Sequence, residues 1–141
     1  MLENAGGESP ADSASRWESP ALGDPPIDLV HLARQCQGDP GLEEELLGLF
    51  RALARSLAAQ ISDPRMGLEL KAGVAHKLRG AALAVGARQV ACAAAAIEEM
   101  ARSVCRGEVP DEEQTRAASR AVAALQAAVA ETIAEIERLR G

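Results

Sequence analysis

GDPGLEEELLGLFRALARSLAAQI, residues Gly38 to Ile61, is the stretch that decides the fold class. Asp39 stands where a capping side chain would accept from the first free amides of a helix. Pro40 suits the first turn, because its missing N–H has no partner there anyway. Glu43, Glu44 and Glu45 follow early, where the helix dipole favours negative charge. Leu42, Leu46, Leu49, Leu53, Leu57 and Ile61 recur every three or four residues. That spacing predicts one helix with these six side chains on its buried face.

Working outward, "SDPRMG" (Ser62–Gly67) breaks the pattern. A helix is predicted from about Leu68 to Val85, stopping at Gly86, with Val74, Leu78, Ala81 and Val85 inward. The next covers about Arg88 to Arg106, with Val90, Ile97, Ala101 and Val104 inward. "GEVPDEE" (Gly107–Glu113) opens the last, whose inner positions are Ala118, Val122, Leu125, Val129, Ile133, Ile136 and Leu139. Upstream, "PPIDLVHLARQC" (Pro25–Cys36) gives a short helix with Asp24 as its cap and the prolines in its first turn. Residues 1–25 carry Gly, Ser, Pro and Asp without apolar periodicity and read as a disordered tail. Trp17 within it has no amphipathic neighbours and reads as incidental. The expected fold is all-α, an antiparallel four-helix bundle over residues 26–141 with a short extra N-terminal helix.

Composition agrees. In 141 residues, hydrophobic types make up 48% and aromatics 1%, namely Trp17 and Phe50. Strands prefer aromatic and β-branched residues, whereas Ala, Leu, Glu and Arg dominate here. The net charge of -6 argues against a nucleic-acid partner held through phosphates. No apolar run approaches the roughly 18 residues of a membrane span, and no signal-peptide pattern opens the chain, so a membrane partner is not expected and the cytoplasm is the expected compartment. Cys36, Cys92 and Cys105 are odd in number and lack CxxC spacing, which disfavours a disulfide framework or a zinc site. His31 and His76 lie in different helices without a Glu-x-x-His arrangement, so no metal site is expected.

His76 is the candidate chemical group. A helix turns about 100° per residue, so Val74, Leu78, Ala81 and Val85 lie roughly 140 to 200° around from it. A core built on them leaves His76 facing water. Its surface neighbours Ala72, Gly73 and Gly80 carry a methyl group or nothing. Two glycines inside a helix cost about 1 kcal/mol each relative to alanine, and clearance for an approaching protein is a compensating gain. Arg79 shares the face and could hold a phosphoryl oxygen, while Lys77 to one side adds positive potential. Leu83, seven residues on, is expected to be exposed and, with Glu69, to form a docking surface. Neutral imidazole near pH 7 can attack phosphorus and give a labile phosphoramidate. His31 also has an arginine three residues on, but Ile27, Asp28 and Gln35 crowd it, and it reads as structural.

At "HKLRGAALAVGA" (His76–Ala87) the sequence resembles the histidine phosphotransfer (HPt) domain of bacterial phosphorelays. That motif runs His, any residue, an aliphatic, Lys or Arg, Gly, two small residues, then Gly ten positions after His. Here these fall on His76, Leu78, Arg79, Gly80, Ala81, Ala82 and Gly86. The resemblance covers residues 26 to 141 and implies a four-helix bundle with an exposed histidine. It implies that His76 takes a phosphoryl group from an aspartate of a receiver domain and returns it to another, as a phosphoryl carrier without kinase activity of its own. Arg79 would then balance the phosphoryl charge and Gly80 would leave room for the partner. The family also places a Gln or Glu on the facing helix, and Glu98 falls there as a candidate to orient the ring. Arg79 replaces the commoner lysine, and Ala81 and Ala82 replace serines.

The implied partners are receiver domains of hybrid kinases and response regulators. They would bring the Mg2+, so no intrinsic cofactor is expected, and a monomer suffices. A sensor-kinase dimerisation domain fits less well, since Lys77 stands where an acid would be and no proline follows five residues after the histidine. The remaining alternative is a scaffolding helical bundle without phosphoryl chemistry.

Overall fold

The computed structural model describes residues 25–106 and 111–140. The expected tail, apart from Pro25, lies outside the described residues, as do Trp17 and Asp24. Five helices account for the regular structure among the described residues: α1 Leu29–Gln35, α2 Pro40–Ser62, α3 Leu68–Val85, α4 Arg88–Cys105 and α5 Glu112–Arg140. The chain is all-helical there, and no described helix is long and apolar enough to cross a membrane.

Local chemistry sets the boundaries. Asp39 Oδ1 accepts from the amides of Gly41 and Leu42 at 3.0 and 3.3 Å, with Pro40 in the first turn of α2. At the far end of α2, Lys71 Nζ donates to the carbonyl oxygens of Ile61 and Asp63, satisfying groups the helix cannot pair internally. The first helix starts later than Pro25. Its cap is Asp28, whose carboxylate accepts from the His31 amide at 3.1 Å. A proline disfavours helical backbone in the residue before it, so Pro26 holds Pro25 outside the helix.

Gly86 ends α3 with φ 80°, a left-handed conformation that L side chains avoid. The Ala87 amide donates to Ala82 O at 2.8 Å, and α4 begins at Arg88. Asp28 lies against the same glycine, its amide donating to Gly86 O at 2.9 Å. A Cβ on Gly86 would sit 2.9 Å from the Asp28 carbonyl oxygen. Glycine is required there on both counts.

α3 packs against α1, α2 and α4, while α5 packs against α2 and α4. The core draws Ile27 and Leu32 from the α1 region, Ala75, Leu78, Ala82 and Val85 from α3, Val90, Ala94, Ile97 and Ala101 from α4, and Leu125, Val129, Ile133 and Ile136 from α5. In α2 the buried residues are Leu47, Phe50, Ala54, Leu57, Ala58 and Ile61. This corrects the leucine stripe expected from spacing: Leu42 and Leu49 are 45% and 63% exposed, and Leu46 and Leu53 are only partly buried. The helix is rotated so that Phe50, with more apolar area to lose from water than a leucine, goes inside. Ala54 and Ala58 share that face and admit α5 closely enough for Gln126 Nε2 to reach Ala58 O at 2.8 Å.

Smaller corrections follow the same logic. Ala75 and Ala82 are fully buried where Val74 and Ala81 were expected, and the latter pair packs at the core margin. Val104 and Leu139, near the helix ends, are exposed, and Ala118 and Val122 near the start of α5 are half-buried.

The two faces of α2 are distinguishable by substitution. Phe50→Ala should destabilise by about 3–5 kcal/mol and Leu49→Ala by less than about 0.5 kcal/mol, measured by urea unfolding. Equal losses would restore the leucine face as core.

Candidate functional site

α3 presents His76 outward because its inner positions are taken by Ala75 and Leu78, both fully buried. The His76 side chain is 68% exposed. The two-residue connection Gly86–Ala87 sends α4 back alongside α3, bringing Glu98, 11% exposed, to the imidazole. Glu98 Oε2 lies 2.8 Å from His76 Nδ1. A carboxylate can only accept, so in the neutral ring Nδ1 carries the proton and Nε2 keeps its lone pair.

Arg79, one turn along α3, lies against both and holds the carboxylate. Its Nε lies 3.2 Å from Glu98 Oε1 and its Nη2 lies 3.4 Å from His76 Nδ1. As a donor it makes no hydrogen bond to a protonated Nδ1, and the shorter Glu98 contact decides the tautomer. The Arg79–Glu98 contact is an ion pair without hydrogen-bond alignment, and Oε1 is buried with no hydrogen-bond donor. Charge attraction therefore holds that oxygen. The pairing of Arg79 with Glu98 was not legible from the motif, where Arg79 reads only as a partner for an incoming phosphoryl group. The signal was present in the turn: residues counted back and forward from Gly86 on the facing flanks of α3 and α4 must meet.

Around the ring the surface is low. Gly73 and Gly80 are both exposed, and a Cβ on either would meet nothing within 4 Å. Close helix packing is therefore not what these glycines serve. Ala72 is half-buried and Lys77 exposed. Leu83, expected on the surface, is half-buried and packs against the core. Seven residues fall about 20° short of two full helical turns, which carries Leu83 from the line of His76 toward α4. Glu69 is exposed in the first turn of α3. The docking pair is thus only half on the surface.

His31 differs in kind. It is half-buried, its Nε2 is enclosed without a hydrogen-bond partner, and its amide serves the α1 cap. A mostly apolar concavity of about 540 Å³ lies elsewhere, between the start of α3, the end of α4 and the start of α5, and His76 lines no part of it. Among the described residues no three His, Cys, Asp or Glu side chains are gathered to hold a metal ion. No family model, curated protein or solved structure matches the chain.

The open space beside the two glycines has a thermodynamic consequence. Gly80→Ala and Gly73→Ala should each stabilise the protein by about 0.5–1 kcal/mol in denaturant unfolding, since alanine is the better helix former and meets no neighbour. A loss of stability would return these glycines to a packing role.

Proposed function

We propose that this chain is a histidine phosphotransfer protein of the HPt type, a cytoplasmic phosphoryl carrier whose four long helices form an antiparallel bundle with α1 across one end. The observation that carries the reading is the state of His76: an exposed imidazole with Nδ1 bound to Glu98, beside glycines that leave the space above α3 open. The helix contacts support the bundle, since each long helix packs on two of the others.

In this reading the donor is an aspartyl phosphate of a receiver domain. Nε2 attacks phosphorus, the P–O bond to the aspartate breaks, and its electron pair returns to the carboxylate. The ring takes the phosphoryl group on Nε2 and retains its Nδ1 proton. The reverse steps deliver the group to a second receiver. The receiver supplies Mg2+ for the transferring phosphoryl group. Arg79 and Lys77 give positive potential beside the ring, which favours the approach of a dianionic group. Gly80, Gly73 and Ala72 admit the partner's surface. In its neutral form the His76 ring combines a nucleophilic lone pair with exposure, whereas a scaffolding bundle would gain nothing from either.

Incubation with a phosphorylated receiver should leave an acid-labile, alkali-stable label on the wild-type chain. His76→Gln should take no label while keeping its helical circular dichroism, because an exposed side chain contributes little packing. Gly80→Gln should retain His76 yet accept phosphoryl at least about tenfold more slowly, the scale of a misplaced reacting pair. A labelled His76→Gln chain would overturn the assignment, and normal transfer by Gly80→Gln would remove the clearance argument.

A further inference from the structure

Resting on that reading, we propose that the Glu98 carboxylate is a positioning residue that keeps the Nδ1 proton on the ring after phosphorylation and so holds the phosphohistidine in its reactive form. Attack by Nε2 leaves a phosphorylated imidazolium with its positive charge spread over both ring nitrogens. If Nδ1 then loses its proton to water, the later N–P cleavage must expel an imidazolate anion, a poor leaving group. If Nδ1 keeps its proton, the electron pair of the breaking bond returns to Nε2 and neutral imidazole leaves. The phosphoryl group then passes to a carboxylate oxygen of the acceptor, or to water.

Three features favour retention. Glu98 Oε2 is 2.8 Å from Nδ1, within the range of a charge-assisted hydrogen bond. The Glu98 side chain is largely withdrawn from solvent, where an ionic interaction is screened less than on open surface. Oε1 receives no hydrogen bond and is held only by the Arg79 charge, so the carboxylate's hydrogen bonding is directed at the ring. Arg79 opposes a positive ring by its charge but fixes the carboxylate that favours one.

The other charged groups on these two helices are Glu69, Lys71 and Lys77 on α3 and Arg88, Glu99 and Arg102 on α4. Lys71 binds backbone carbonyls at the end of α2, and Arg102 pairs with Glu99. Among the described residues, Glu98 and Arg79 are the charged groups at hydrogen-bonding distance from the imidazole. Glutamine at this position could still accept from Nδ1–H through its amide oxygen, so an orienting role alone survives that change. Retention of the proton does not.

The test uses the full chain and its Glu98→Gln variant, both phosphorylated by the small N–P donor phosphoramidate and freed of excess reagent. Loss of label is then followed between pH 6 and 9. Hydrolysis of the wild-type phosphohistidine should stay fast to higher pH. At pH 8.5 the E98Q label should outlast it by about tenfold, the scale of exchanging a charged hydrogen-bond acceptor for a neutral one. The difference should narrow toward pH 6, where solvent protons are plentiful for either variant. Superimposable pH profiles, or a shorter-lived label on E98Q, would overturn the proposal while leaving the carrier reading intact. Failure of the wild-type chain to take any label would instead bring down the carrier reading, and this inference with it.

Discussion

A helix that must reverse direction within two residues has few ways to do it, and the rest of this molecule is arranged around the one used at Gly86 and Ala87. The left-handed glycine lets α3 stop and α4 start without an intervening loop, and the same residue is covered by Asp28 at contact distances no side chain would allow. One backbone hydrogen bond, from the Asp28 amide to Gly86 O, ties the entry of α1 to this corner. With so short a connection, the register between α3 and α4 has no slack. His76 lies ten residues before Gly86 and Glu98 twelve after it, and the helical turn carries both to the same flank. A single residue inserted in the turn would rotate α4 by about 100° and take the carboxylate away.

The composition of α4 serves the same meeting. Ala91, Cys92, Ala93, Ala94, Ala95 and Ala96 put short side chains on every face just before Ile97 and Glu98. A helix of this kind can lie close to its neighbour, and Ala91 and Ala94 are fully buried. Glu98 is then drawn far enough in that it needs partners for its charge, and Arg79 and His76 are those partners. The arrangement sets the tautomer of the imidazole as well as holding α3 to α4.

Where structure follows from chemistry within one or two turns, the sequence was readable. The Asp39 cap, the Pro40 start and the Gly86 stop are local devices and stand where they were expected. The faces were harder. In α2 two apolar arcs share helical periodicity, one of leucines and one containing Phe50 and alanines, and both include Leu57 and Ile61. Nothing within α2 ranks them; the choice is made by α3 and α5, which fill in around the aromatic ring and the methyl groups. In α3 the same ambiguity between Val74 and Ala75 resolved toward the smaller residue because neighbouring helices come close, and the register this sets buries Ala82 rather than Ala81. The outward direction of His76 does not depend on this choice, since a shift of one position in the core still leaves it on the far side. The ion pair between Arg79 and Glu98 was invisible to a motif that treats each residue singly.

α3 is an odd helix to carry an exposed, paired imidazole. Gly73 and Gly80 weaken its intrinsic propensity and leave stretches of its backbone amides open to solvent, yet Ala75, Leu78, Ala82 and Val85 are sealed inside. A segment so constituted has little helicity of its own and is folded by what surrounds it. Its amide protons should therefore exchange with the cooperativity of the whole assembly rather than by private fraying in the middle of the helix. The imidazole and the carboxylate are joined only when α4 is docked, so a partly unfolded chain has no paired ring to offer. The integrity of the entire domain is thereby read out at one nitrogen atom.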